Sequence, residues 1–113
     1  MKPINLSELA ETQGHSQGLS KGTVIRSDEF NAVQVILDPG KEITPHPEDY
    51  AVLFVVIEGQ GRITTGDGVW KIRPGDIVHL DRGETRGIEA DTRIRLLGIQ
   101  GRRSSDARKV TNG

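Results

Sequence analysis

Glycine and proline recur at short intervals along this chain, and the stretches between them are short runs rich in valine and isoleucine. Short β-branched runs bounded by turn residues are typical of strands, whereas a helix needs apolar residues every three or four positions over a longer stretch. Helical periodicity is nearly absent, and a single helical turn is predicted around Ser7–Glu11. The sequence therefore predicts an all-β domain, closed on itself or built as a sandwich.

The predicted strands are short and evenly spaced. Two glycine-rich turns, 59–61 and 66–68, separate three of them, so we predict that these three strands form a meander. The eight predicted strands lie near residues 23–26, 30–37, 51–57, 60–65, 69–72, 76–80, 86–90 and 93–99.

Composition limits the possible partners and chemistry. With 113 residues there is room for one domain, and 15 basic against 16 acidic residues leave no net field that would attract a nucleic acid. The chain has no cysteine, which excludes disulfides, thiolate zinc sites and cysteine nucleophiles. No apolar run reaches the length of a membrane span or a signal peptide, so we expect a cytoplasmic protein without a membrane partner.

The chain divides into three parts on composition. Residues 1–22 form an N-terminal extension, either with the short helix or exchanged with a partner chain. Residues 23–100 carry the strands and are expected to form the barrel. Residues 101–113 contain few apolar side chains and are expected to form a mobile basic tail.

Two stretches carry a pattern beyond alternating strands. The first runs from Gly40 through His46 to Gly59, and the second runs from Gly75 through Gly83 to Ala90. Together they resemble the two sequence motifs of the cupin family, a superfamily of small β-barrel or jelly-roll proteins. The resemblance implies a single small barrel over residues 23–100, and it implies a homodimer, because small cupins commonly pair.

The resemblance also implies where a metal would bind. Cupins typically hold a divalent metal with two histidines and a glutamate from the first motif and a histidine from the second. In this chain His46 matches the first histidine, while Glu48, Val52 and Arg86 stand at the other three positions. Valine has no donor atom, and a guanidinium has no free lone pair and repels a cation. We therefore expect no bound cofactor, and a divalent metal would need a reorganised site made of His46, Glu48 and His79.

Arg86 has two possible directions. Facing inward, it would form an ion pair with Glu48 and so create a charged cluster with His46 in place of the metal. Facing outward after a one-residue slip, it would pair with Glu84 or Glu89. The spacing from the second motif's glycines favours the inward direction.

The other candidate residues also have ordinary structural interpretations. His46 lies between two prolines and could be a rigid loop residue, and Glu48 could point to solvent. His79 lies in an apolar run. It could be a core or interface residue, or it could be a third metal donor. For Phe54 and Trp70, core packing is the default, and a pocket wall that stacks on a ligand is the alternative.

Three functions fit these observations. The first is a small-molecule-binding domain that reads a polar or anionic ligand with His46, Glu48 and Arg86, lined by Val52, Phe54 and His79. The second is an enzyme, either a metal-independent isomerase or lyase or a metal-dependent oxygenase. The third is a scaffold with a closed pocket. A homodimer is favoured further by residues 32–37, which are apolar on more than one face.

Overall fold

The structure is a computed structural model, and it describes residues 2–8 and 18–103. No helix among these residues is long and apolar enough to cross a membrane. They comprise a 3-10 turn at Leu6–Glu8 and the strands β1 (Leu19–Arg26), β2 (Asn31–Leu37), β3 (Glu42–His46), β4 (Val52–Glu58), β5 (Gly61–Thr65), β6 (Gly68–Ile72), β7 (Ile77–Leu80), β8 (Arg86–Ala90) and β9 (Ile94–Gln100).

The strands form two antiparallel sheets that pack face to face. One has the order β1-β2-β9-β4-β7 and the other has the order β3-β8-β5-β6. Their inner faces enclose one apolar core, to which both sheets contribute aliphatic side chains, and the predicted all-β jelly roll is confirmed. The core residues are Val35, Leu37, Tyr50, Val52, Val56, Ile63, Ile72, Leu80, Ile88, Ala90, Ile94 and Leu96.

Two strand predictions needed correction. β3 was missed because it contains Pro45 and few apolar residues, a composition tolerated here because β3 is the last strand of its sheet. β1 begins at Leu19, so the first sheet includes four residues that the sequence analysis assigned to the N-terminal extension.

The predicted meander is wrong in one of its two turns. β5 and β6 do pair as a hairpin, but β4 lies in the other sheet, so the turn at Gly59 carries the chain from one sheet to the other. Gly59 has a φ of 89°, and a Cβ there would overlap the carbonyl oxygen of Arg93. Only glycine fits this crossing, and its sequence signal is the same as that of a hairpin.

Both faces of β2 are buried within the chain. Val35 and Leu37 face the core, while Gln34 and Ile36 are buried on the outer face. The N-terminal segment lies against that outer face, because Arg95 Nη1 donates to the Leu6 carbonyl at 2.6 Å and to Gln34 Oε1 at 3.2 Å. The apolar pattern of β2 therefore does not require a partner, and the homodimer stays a prediction on other grounds.

The two chain ends are described in part. The 3-10 turn overlaps the predicted turn at Ser7–Glu11, whose last three residues lie outside the described residues. The first residues of the predicted tail pack on the domain, since Gly101 N donates to the Ala51 carbonyl at 2.8 Å and the Arg103 guanidinium lies 4.6 Å from the Tyr50 ring centre. Residues 104–113 lie outside the described residues.

Candidate functional site

β3 and β8 bring His46 and Arg86 together. The register pairs the two residues directly, so their side chains lie on the same side of the sheet. The His46 Nδ1 atom lies 2.8 Å from the Thr44 carbonyl, which can only accept, so Nδ1 carries a proton. The other ring nitrogen, Nε2, lies 3.7 Å from Glu48 Oε2 and forms an ion pair with it when the ring is doubly protonated.

Tyr50 connects this pair to the end of β9. Its hydroxyl donates to Glu48 Oε2 at 3.2 Å and accepts from Gln100 Nε2 at 3.3 Å. Burial raises the pKa of Tyr50, and the negative charge of Glu48 raises that pKa further. The phenol therefore stays neutral and remains a donor, and a polar chain runs from Gln100 through Tyr50 and Glu48 to His46.

Arg86 faces inward, as the motif spacing predicts, and is only 5% exposed. Its Nε donates to the Glu84 carbonyl at 3.2 Å, and its Nη2 donates to the carbonyls of Tyr50 at 3.0 Å and Asp81 at 2.9 Å. The predicted ion pair with Glu48 is wrong, because among the described residues Glu48 is not a hydrogen-bond or ion-pair partner of Arg86. The guanidinium lies instead 5.2 Å from the ring centre of Tyr50, the residue that binds Glu48.

Through these hydrogen bonds Arg86 links two of the connections between strands. Tyr50 belongs to the connection from β3 to β4, whereas Asp81 and Glu84 belong to the loop from β7 to β8. A guanidinium is a planar group with five donors, so one side chain can satisfy carbonyls from both loops at once. The alternative outward pairing is also excluded, since the contact with Glu84 is to its backbone and not to its carboxylate.

The residues at the family's metal positions do not fit a metal. Val52 is buried in the core, and the guanidinium of Arg86 occupies the position of the last histidine. The conditional set of His46, Glu48 and His79 is not assembled, and no group of three or more possible ligands is found in residues 2–8 and 18–103. His79 pairs with the exposed Leu53, which places it on the outer face of its sheet, and its ring lies 3.6 Å from Asp81.

A cavity of about 220 Å³ opens on the inner face of the five-stranded sheet. Phe54 packs against the core, as expected by default, and it also forms part of the cavity wall, while its stacking on a ligand stays a prediction. Sequence analysis missed the polar lining residues Lys21, Thr23 and Gln100. The available signal was the alternation along β1, where Lys21 and Thr23 pair with Val35 and Val33 and so share their inward face. The lining residues are Lys21, Gly22, Thr23, Val33, Val35, Phe54 and Gln100.

A second cavity, of about 360 Å³, lies between β6 and β7. Trp70 forms one wall and is 55% exposed, so the default interpretation of Trp70 as a core residue is wrong. His79 lines this cavity too and, at 61% side-chain exposure, is not a core residue.

Glu84 joins the turn from β5 to β6 with the loop from β7 to β8. Its Oε2 accepts from Gly66 N and its Oε1 accepts from Asp81 N, each at 3.0 Å. These two backbone hydrogen bonds lower the pKa of Glu84 below its ordinary value of 4.5. The hydrogen bond from Asp81 N has the larger effect, and that from Gly66 N comes second. A carboxylate with a lowered pKa stabilises the fold while it is ionised, and this stabilisation is lost as the pH falls below about 4.5 toward the folded-state pKa.

We therefore expect Glu84→Gln to be less stable than the wild type at neutral pH, and we expect this gap to narrow as the pH falls below about 4.5. The measurement is the free energy of unfolding by urea as a function of pH. Glu29→Gln, which removes the same charge from the exposed turn between β1 and β2, should run parallel to the wild type. A gap for Glu84→Gln that stays constant between neutral and acid pH would contradict this role.

Comparison with known proteins identifies the family to which the chain belongs. The family model for the cupin domain matches residues 33–99, which is more than half of the chain. No curated protein matches the chain.

Solved structures share the fold. An RmlC-like cupin from Shewanella frigidimarina aligns with a TM-score of 0.79 and 19% identity over 94% of this chain and 96% of that one. An RmlC-like cupin from Desulfovibrio desulfuricans aligns with a TM-score of 0.76 and 25% identity over 89% and 96% of the two chains. A salicylate 1,2-dioxygenase from Pseudaminobacter salicylatoxidans aligns with a TM-score of 0.74 and 15% identity over 86% of this chain and 29% of that enzyme.

The matched segment runs from β2 to β9 and contains both of the motifs that carry the resemblance. The two packed antiparallel sheets agree with the solved structures along nearly the whole described chain. This chain belongs to the cupin superfamily, and a buried arginine, Arg86, stands at the start of β8.

Proposed function

We propose that this cupin domain binds a small polar or anionic molecule in the mouth of its barrel without a tightly bound metal. The observation that carries the proposal is the cavity lined by Lys21, Thr23, Phe54 and Gln100, which combines a cation, two hydrogen-bonding side chains and an aromatic wall. Small-molecule sites typically have such a lining, largely apolar with a few placed polar groups.

The charge in the cavity favours an anion. No hydrogen bond or ion pair from the other described residues holds the ammonium group of Lys21, so its charge is available to a ligand. Thr23 and Gln100 can donate to a carboxylate, while Phe54 and Val33 offer apolar contact to the rest of the molecule. The ligand class that fits is a small carboxylate with an apolar body.

His46, Glu48 and Arg86 act behind the cavity in this proposal. Gln100 lines the cavity and donates to Tyr50, and Tyr50 is held by Glu48 on its hydroxyl and by Arg86 on its backbone carbonyl. These residues therefore determine how the Gln100 amide is presented to a ligand. Val52 supports the same end of the sheet from within the core.

An enzyme is the second candidate, and the partly exposed pair of His46 and Glu48 favours it. Their side chains are partly accessible, and His46 Nε2 lies 3.7 Å from Glu48 Oε2, so two groups capable of acid–base chemistry lie next to each other. This supports a metal-independent isomerase or lyase. The likeness to a salicylate 1,2-dioxygenase shows a shared fold, and the donor set at the metal positions gives no support to oxygenase chemistry.

The first test is titration with benzoate, followed by shifts of backbone amide NMR signals. We expect saturable shifts around the cavity for benzoate and weaker ones for benzyl alcohol, which lacks the charge. Lys21→Met should weaken benzoate binding by roughly tenfold, the loss of one charge-assisted contact of about 1.4 kcal/mol. Lys41→Met removes the same charge outside the cavity and should bind like the wild type.

Equal affinity of Lys21→Met and the wild type for benzoate would contradict the proposed anion site. Recovery of the titrated compounds by mass spectrometry separates the two candidate functions. Unchanged compounds support a binding domain, and a chemically altered compound would support the enzyme.

We also propose that two copies of the domain pair through the outer face of the five-stranded sheet. Leu53 is 37% exposed and Ile77 is 65% exposed on that face, next to His79.

Light scattering should then give about twice 12.4 kDa for the wild type. Ile77→Glu should shift the protein toward the monomer, because it would place a charge in the interface between the two copies. Val69→Glu, on an exposed position of the other sheet, should stay dimeric. A monomeric wild type at micromolar concentration would contradict this.

A further inference from the structure

The cavity between β6 and β7 is separate from the barrel mouth. Among the described strands β6 pairs with β5 alone and β7 with β4 alone, so each is the last strand of its sheet. The space between them is about 360 Å³, which is within the range of small-ligand sites. None of the residues that line the mouth lines this cavity.

An aromatic wall and an apolar floor define its shape. Trp70 pairs with Ile63 in the hairpin, so both side chains lie on the same face of the sheet. Ile63 is buried in the core and forms the floor with Val78, while more than half of the surface of Trp70 stays exposed. A large ring held open at a strand edge above an apolar floor is a surface on which a ligand can stack.

The charged groups around this wall are mostly acidic. Asp67, Asp76 and Glu84 line the cavity together with one lysine, Lys71, and with His79. Glu84 stays ionised at neutral pH because its backbone hydrogen bonds lower its pKa. With Lys71 opposing three carboxylates, the cavity disfavours an anion and favours a cation.

One of these carboxylates is available to a ligand. Both oxygens of Glu84 accept backbone hydrogen bonds, and Asp76 Oδ2 accepts from Arg73 N at 3.0 Å. The carboxylate of Asp67, by contrast, has no hydrogen bond or ion pair to another described residue. Asp67 and the Trp70 ring therefore provide a charge and a π-face that no other described side chain satisfies.

We propose that this cavity binds an organic ammonium ion, with the alkylated nitrogen against the face of Trp70 and the carboxylate of Asp67 as its counter-charge. Tryptophan is the strongest of the aromatic side chains in cation–π contacts, and a nearby carboxylate adds direct attraction. The apolar floor would contact the alkyl groups of such a ligand. A metal ion or another inorganic cation has no alkyl groups to make this contact.

The test uses choline as the probe and the fluorescence of Trp70, which is the single tryptophan of the chain and so reports on this site alone. Choline should change the fluorescence in a saturable way at constant ionic strength. 3,3-Dimethylbutan-1-ol has the same shape without the charge, and we expect it to bind at least fivefold more weakly. Equal binding of the two compounds, or no saturable change with choline, would overturn the proposal.

Two variants separate the roles of the wall and the carboxylate, with broadening of the choline methyl NMR signal as the readout. Trp70→Leu should abolish the broadening, and Asp67→Asn should weaken choline binding at least threefold. Glu29→Gln removes the same charge far from the cavity and should bind choline like the wild type. Unchanged binding in Trp70→Leu, or an equal loss in Glu29→Gln, would overturn the site.

The same ammonium chemistry can come from a free small molecule or from a lysine of another protein. Titration with Nα-acetyl-lysine amide distinguishes these sources. Tighter binding of choline would support a free alkylated ammonium compound, and tighter binding of the lysine derivative would support a protein side chain.

Discussion

The burial of the Arg86 guanidinium is the constraint on which the arrangement of the barrel interior depends. A permanently charged group in a core needs hydrogen-bond acceptors on several sides, and here these are the carbonyls of Tyr50, Asp81 and Glu84. These acceptors lie in two connections, one from β3 to β4 and the other from β7 to β8. The arginine therefore joins these two connections through its hydrogen bonds.

Tyr50 links the buried arginine to side chains nearer the surface. Arg86 fixes its backbone and packs near one side of its ring, Arg103 lies near the ring as well, and its hydroxyl is shared between Glu48 and Gln100. The Tyr50 side chain thus lies between the carboxylate of Glu48, which accepts from its hydroxyl, and the guanidinium of Arg86, which lies beside its ring. The polar side chains of His46, Glu48, Tyr50 and Gln100 are thus linked in one network, which ends at the barrel mouth.

The fold was predictable from sequence to a greater extent than the site. Valine and isoleucine runs between glycine turns identify the strands, and the motif frame correctly turns Arg86 inward. The partner of Arg86 was not predictable, because the frame gives the face of a residue and not the loop carbonyls that approach it in the fold. Gly59 has the composition of a hairpin turn while it connects two sheets, and Trp70 is exposed because β6 has no further strand beside it.

The most direct test of the central claim is the free energy of unfolding of Arg86→Met, with Arg86→Lys measured beside it. Methionine preserves much of the volume and leaves one buried carbonyl and two partly buried carbonyls without their donor, so we predict a loss of about 2–4 kcal/mol. Lysine keeps the charge without the planar fork and should recover only part of this loss. Stability of Arg86→Met equal to or above that of the wild type would contradict the account, because it would show that the guanidinium does not brace the barrel.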